Sequence, residues 1–332
     1  MAKDWTAQEI MTLSGAYWAG CALQAGVQLD IFTLLANGPL DEAELAEKLC
    51  SNRKALSMLL TGLTALGFLE KQDGKVAAPQ SVLDLLSRQS PNYLGFIIKH
   101  QANIMPGWTK LAKAVLTGSS TAESSTLHTS DVNEREDFLM GMFNIARMQA
   151  ERIAEKLDLS GKKRLIDIGG GPGTYAIYFC MQNPELHATI FDLPTTDPFA
   201  RKTIARFGLE DRVDFVPGNF ITDDLPTGYD VAWLSQVLHG ESPESASLLV
   251  QNAGASLNPG GLLCIQEFVL DDDRSGPVHA ALFGLNMLVQ TPGGQAYTRG
   301  EISEMLRNAG AKTVEELDIE LPLSCRVLVG RL

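Results

Sequence analysis

The stretch Leu165-Ile166-Asp167-Ile168-Gly169-Gly170-Gly171-Pro172-Gly173-Thr174 decides the reading of this chain. A short apolar run ends in glycines, and a helical pattern begins at Thr174. Strand, glycine turn and helix in that order make a nucleotide-binding loop, because glycines permit the tight turn and let a ligand approach the backbone. The spacing narrows the ligand. A dinucleotide fingerprint G-x-G-x-x-G would need glycine where Thr174 stands, and no Lys-Ser/Thr follows to make a phosphate loop. Asp192 ends the next predicted strand, 19 residues after Gly173, where a carboxylate can accept both hydroxyls of a ribose.

Outward from this loop, strands and helices alternate. Strands are predicted at Arg164–Ile168, Ala188–Phe191, Val213–Val216, Tyr229–Leu234 and Leu262–Leu270, and near Thr313–Leu317 and Arg326–Val329. Helices are predicted at Thr174–Asn183, Asp197–Phe207, Glu244–Leu257 and Thr298–Ala309. That alternation implies an α/β fold, a Rossmann-like doubly wound, mostly parallel sheet.

The first half reads as mainly helical. Asp41 with Glu44 three residues on forms a capping box for a helix Glu42–Leu49. From Arg53 to Gly67, Leu56, Leu59, Leu60, Leu63 and Leu66 recur at helical spacing. Two short strands, Phe68–Lys71 and Lys75–Ala78, flank Gln72-Asp73-Gly74. Helices followed by a hairpin give the order of a winged helix. Residues 1–100 carry eight Lys/Arg against ten Asp/Glu, and the would-be reading helix is mostly leucine. A DNA reader needs polar tips and a basic surround, so a dimerisation module is the better expectation. Asn92–Leu116 reads as helical with an interruption at Pro106-Gly107, Thr117–Asn133 as a surface loop, and Glu136–Leu157 as a helix leading into the second half. The expected domains are 1–115, a loop and linking helix 116–160, and a ligand-binding catalytic domain 161–332.

Composition removes other classes. Hydrophobic residues are 45% and charged residues 20% of the 332, which excludes disordered and collagen-like chains. No run approaches the roughly 18 apolar residues of a membrane span, and the first twenty residues lack the pattern of a secretory signal. Net charge is −13, which disfavours phosphate backbones as partners. The five cysteines, Cys21, Cys50, Cys180, Cys264 and Cys325, form no C-x-x-C, so neither a zinc site nor a disulfide framework is expected and the setting reads as cytoplasmic.

D-x-G-G-G-x-G followed by Phe191-Asp192-Leu193-Pro194 resembles the S-adenosylmethionine-dependent O-methyltransferases, and within them the hydroxyindole and caffeate-type family. The resemblance spans nearly the whole chain. It includes Leu234-Ser235-Gln236-Val237-Leu238-His239, Leu257-Asn258-Pro259-Gly260-Gly261, Asn286-Met287-Leu288 and Thr291-Pro292-Gly293-Gly294. It implies S-adenosylmethionine as cofactor, a small-molecule methyl acceptor and a homodimer, with no nucleic acid and no membrane insertion. Gly169 and Gly171, with Asp167 before them, would lie under the methionine part. Asp192 would bind the ribose and Leu193 would pack on the adenine. Asn219 stands where the family usually has an acid facing the adenine amine and can still accept through its carbonyl. Phe220 would flank the adenine ring, and Ser235 would contact the sulfonium end.

His239, just past the fourth strand, matches the family's general base, and Glu267, 28 residues later, an acid that orients it. A lone histidine at a strand end is ordinarily a satisfied polar residue; the context here favours the base. His100, His128, His187 and His279 lack that context and read as structural or exposed. The acceptor pocket is expected between the domains. Trp108, Met140, Phe143 and Asn144 are candidates to line it, as are Phe283, Asn286 and Met287. Two positions depart from the usual acid–base set: Gly240 follows the His, and Gln295-Ala296 follow the paired glycines. A thinner set would also suit C-methylation, or a relative that binds the cofactor without transferring methyl. A winged-helix ligand sensor is the reading from another class.

Overall fold

The computed structural model describes residues 3–122 and 131–332. Part of the expected loop Thr117–Asn133, with His128, lies outside the described residues. The chain forms two compact units, Met1–Asn103 and Ile104–Leu332.

The first unit is helical with one small sheet. The capping box at Asp41 and Glu44 is formed, and the helix runs Glu42–Lys48. Asn52 caps the helix Arg53–Ala65 by accepting from the Ala55 N–H at 3.0 Å. Leu56, Leu60 and Leu63 of that helix are buried with Ile31, Phe32, Leu45 and Val76 in one core, Leu59 packs against it half-buried, and Leu66 of the expected stripe is exposed. Two strands, β1 (Glu70–Gln72) and β2 (Lys75–Ala77), pair antiparallel, and Leu40 bridges Val76 as a third, single-residue partner. The helix Ala7–Gly15 buries no side chain within the unit.

In the second unit seven strands form one sheet: β3 (Arg164–Ile168), β4 (His187–Asp192), β5 (Val213–Pro217), β6 (Tyr229–Ser235), β7 (Leu257–Phe268), β8 (Thr313–Glu316) and β9 (Cys325–Arg331). Their order is β5-β4-β3-β6-β7-β9-β8, and β9 alone runs antiparallel to its neighbours β7 and β8, while the other pairs are parallel. One face packs Leu165, Val231, Trp233 and Cys264 under the helices Val132–Lys156, Thr174–Gln182 and Asp197–Phe207. The other packs Ile166, Leu234, Leu263 and Ile265 under Pro243–Ala255 and Arg299–Asn308. The winding reverses between β3 and β6. The loops leaving those two strands diverge there, and a ligand crevice opens at their carboxyl ends.

Two expectations are corrected. The interruption falls after Trp108, not at Pro106-Gly107: one helix runs Gly95–Trp108 with Pro106 inside it, and another resumes at Leu111. Pro106 lies in the last turn, where its missing N–H removes one hydrogen bond, and the helix stops two residues later. Gly107 is there for packing, since a Cβ would lie 2.6 Å from Val289 Cγ1. The second correction is the helix Val278–Gln290, which the strand–helix reading passed over.

Candidate active site

The glycine loop hangs on β3 and β4. Gly169 donates to the Phe191 carbonyl at 2.8 Å, and Gly173 to that of Gly170 at 2.9 Å. Gly169, Gly171 and Gly173 all have left-handed backbone, with φ of 67°, 54° and 81°. A side chain is also excluded at Gly169, where a Cβ would meet Val237 Cγ1 at 2.5 Å. Asp167 is fully buried beneath the loop and accepts from the Ala176 N–H at 3.2 Å through Oδ2. Its Oδ1 has no hydrogen-bond partner among the described residues. Burial pushes this carboxyl up to about 7; the Ala176 bond opposes the shift and the nearby Asp192 charge adds to it. An unsatisfied buried carboxylate oxygen at this place fits a cationic amine, as the methionine end of S-adenosylmethionine carries.

Asp192 ends β4. Its Oδ1 accepts from the Leu193 N–H at 2.7 Å and the Thr196 hydroxyl at 2.9 Å, and its Oδ2 from the Gly171 N–H at 2.8 Å. The two turns are therefore tied together through one carboxylate. Burial raises the Asp192 carboxyl, and the three hydrogen bonds pull it back. Arg135, from the long helix, donates to the Thr195 carbonyl and the Thr196 hydroxyl and braces this turn. After β5, Phe220 lies against the glycine loop, its Cε1 3.2 Å from where a Gly169 Cβ would be. The Asn219 side-chain carbonyl accepts from the Ile221 N–H at 2.9 Å, an Asx-type turn that occupies one of its two lone pairs.

His239 sits in a short turn, Leu238–Gly240, beyond β6. Its Nδ1 is 2.7 Å from Glu267 Oε2, and its backbone N–H donates to Glu267 Oε1 at 3.3 Å. The Glu267 side chain is 1% exposed and that of His239 15%. A buried carboxylate on Nδ1 selects the tautomer with its proton there and leaves Nε2 as an acceptor. Phe283 packs edge-on to the His239 ring at 4.7 Å, and Phe268, in contact with Phe283, lies nearly parallel to it at 6.2 Å.

The acceptor candidates separate. Phe283, Asn286 and Met287 share the helix Val278–Gln290, and Trp108 Nε1 donates to Asn286 Oδ1 at 2.8 Å. Met140, Phe143 and Asn144 share the long helix Val132–Lys156, where Phe143 is buried against Phe207 at 6.4 Å. Sequence reasoning missed Phe268, which lies between the His239 and His279 rings. It also missed the buried polar side chains Gln149, Tyr175 and Gln266. The one signal that could have found the helix Val278–Gln290 is length: the mostly apolar run from Val278 to Val289, after Gly276-Pro277, is too long for a strand.

Residues 108–312 match the model of the O-methyltransferase domain, and residues 11–83 that of the O-methyltransferase dimerisation domain. The chain is 34% identical to 3-hydroxy-5-methyl-1-naphthoate 3-O-methyltransferase of Streptomyces sahachiroi, over 96% of this chain and 93% of that one. It is 30% identical to the tetracenomycin polyketide synthesis 8-O-methyl transferase TcmO of Streptomyces glaucescens, over 95% and 94%. Among solved structures, PigF of Serratia with S-adenosylhomocysteine superimposes with a TM-score of 0.91 at 27% identity, covering 99% of this chain and all of that one. The chain belongs to the family of S-adenosylmethionine-dependent O-methyltransferases.

Proposed function

We propose that the protein methylates a hydroxyl of a small aromatic or polyketide-like acceptor, with His239 as general base and Glu267 as its orienting acid. The observation that carries the assignment is the 2.7 Å contact between His239 Nδ1 and the buried Glu267, at the mouth of the cofactor crevice. S-adenosylmethionine, when bound, supplies an electrophilic methyl group. Asp167 takes its amine, Asp192 its ribose, and Leu193 and Phe220 its adenine; Gly169 and Gly171 let it approach the backbone. His239 receives the hydroxyl proton at Nε2, and Glu267 stabilises the imidazolium that forms. Between a phenol pKa near 10 and an imidazole pKa near 6.5, complete prior deprotonation costs about 5 kcal/mol. Removal of the proton as the new bond forms avoids most of that cost. The aromatic relatives, acting on a hydroxynaphthoate and on a tetracenomycin intermediate by their names, support the acceptor class. Phe283, Asn286, Met287 and Trp108 supply a flat apolar wall with one polar pair for such a ring.

The protein acts as a homodimer in this reading. Trp5, Ile10, Met11, Leu13, Tyr17 and Trp18 are each half or more exposed within the chain. They cluster at and beside the start of the region matching the dimerisation domain, so a second copy of the chain is the occupant that this apolar stretch fits.

The test is His239→Ala assayed with a panel of phenols and labelled methyl donor. Turnover should fall by about 10²–10⁴-fold, while calorimetric affinity for S-adenosylhomocysteine stays within a factor of two. Glu267→Gln should lose a similar factor, because an amide facing Nδ1 can donate and so favours the other tautomer. Turnover that survives His239→Ala removes the base assignment. A product with its new methyl on carbon removes the hydroxyl.

A further inference from the structure

At the carboxyl end of the sheet, the face under the long helix turns polar. Ser235 and Gln266 are register partners on β6 and β7, on the same face as Trp233 and Cys264. Ser235 Oγ donates to Gln266 Oε1 at 2.8 Å. The Tyr175 hydroxyl lies beside both. Gln149 descends from the long helix, and Gln149, Tyr175 and Gln266 are nearly fully buried. Gln149 and Gln266 also meet the buried Cys325 thiol.

Ser235 is the member that reaches the crevice. It is the partly exposed one, and it follows Leu234, whose register partner Ile168 precedes Gly169. It therefore stands beside the first glycine of the loop and four residues before His239. A hydroxyl has one proton. When that proton is directed to Gln266 Oε1, the oxygen lone pairs turn away from Gln266. We propose that Gln266 is a positioning residue: it fixes the Ser235 hydroxyl as an acceptor facing the crevice, so that the site prefers the cationic sulfonium of S-adenosylmethionine over the neutral thioether of S-adenosylhomocysteine. The inference rests on the cofactor reading above. With Gln266 unable to accept, the Ser235 proton is free to rotate toward the cation, and the preference is lost. Tyr175 and Gln149 wall the patch and keep water from competing for the Ser235 proton.

The test compares calorimetric Kd values of S-adenosylmethionine and S-adenosylhomocysteine for the purified full-length protein and three variants. In Gln266→Met, which keeps length without an acceptor, Kd for S-adenosylmethionine should rise about tenfold. Kd for S-adenosylhomocysteine should change by less than about twofold. Ser235→Ala should give the same loss of preference, and Ser235→Thr should restore the wild-type ratio. A structural role alone shifts both ligands together, and that result, or an unchanged ratio in Gln266→Met, overturns the inference. If Gln266→Met does not fold by circular dichroism, the contrast between Ser235→Ala and Ser235→Thr decides. Failure of the wild type to bind either ligand would instead overturn the cofactor reading, and with it this one.

Discussion

Asp167 shows what one buried carboxyl contributes. Its pKa in the folded chain is raised to about 7, against about 4 when unfolded. Between those values the native state holds a proton that the unfolded state has lost. Stability of the ligand-free protein therefore falls as pH rises from about 4 to about 7, and levels off above. An ammonium placed against Oδ1 favours the ionised form and expels that proton. Binding of S-adenosylhomocysteine near pH 6.5 should then release up to about one proton. Calorimetry in buffers of different ionisation heat measures it. Asp167→Asn should abolish the buffer dependence, and a buffer-independent wild type would refute the role of Asp167. The acid before the glycines was legible in the sequence. Its unpartnered oxygen was not, because that depends on how the helix Thr174–Gln182 seats on β3.

At the scale of elements, the glycine loop is held by backbone conformation. Gly173 combines φ of 81° with a Cβ position 2.3 Å from Ile190 Cδ1, on the neighbouring strand β4. Left-handed backbone alone costs an L-residue about 1–2 kcal/mol, and the clash adds to it. Gly173→Ala should lower unfolding free energy by at least about 2 kcal/mol and weaken S-adenosylhomocysteine binding, as read by urea titration and calorimetry. Gly208→Ala, also left-handed but with open space around it, should cost less. The strands and most helices could be placed from periodicity, within a few residues of their observed ends. The helix Val278–Gln290 was overlooked because its apolar residues cover most of its circumference, from Ala280 and Phe283 to Met287 and Val289, which weakens the one-sided signal.

For the whole molecule, the proposed association is assigned to the exposed apolar residues of the first eighteen positions. Trp18→Glu, exposed within the chain, should leave the fold of each unit intact while shifting sedimentation at micromolar concentration from dimer to monomer. A buried charge opposite an apolar partner raises the dimer Kd by about a hundredfold or more. An unchanged dimer would move the interface elsewhere. Among the described residues no helix is long and apolar enough to cross a membrane.

The doubly wound sheet, the glycine loop with its strand-end Asp192, and the separate positions of His239 and Glu267 are written along the chain, as periodicity, turn residues and spacing. Which of them meet is settled by folding. His239 reaches Glu267 because β6 and β7 pair parallel in a register that puts the turn after β6 over the end of β7. The same register sets Ser235 beside Gln266. Periodicity assigns a residue to a face of its own strand. What it touches there is fixed by register between strands and by the helix packed above, which are properties of the folded chain alone.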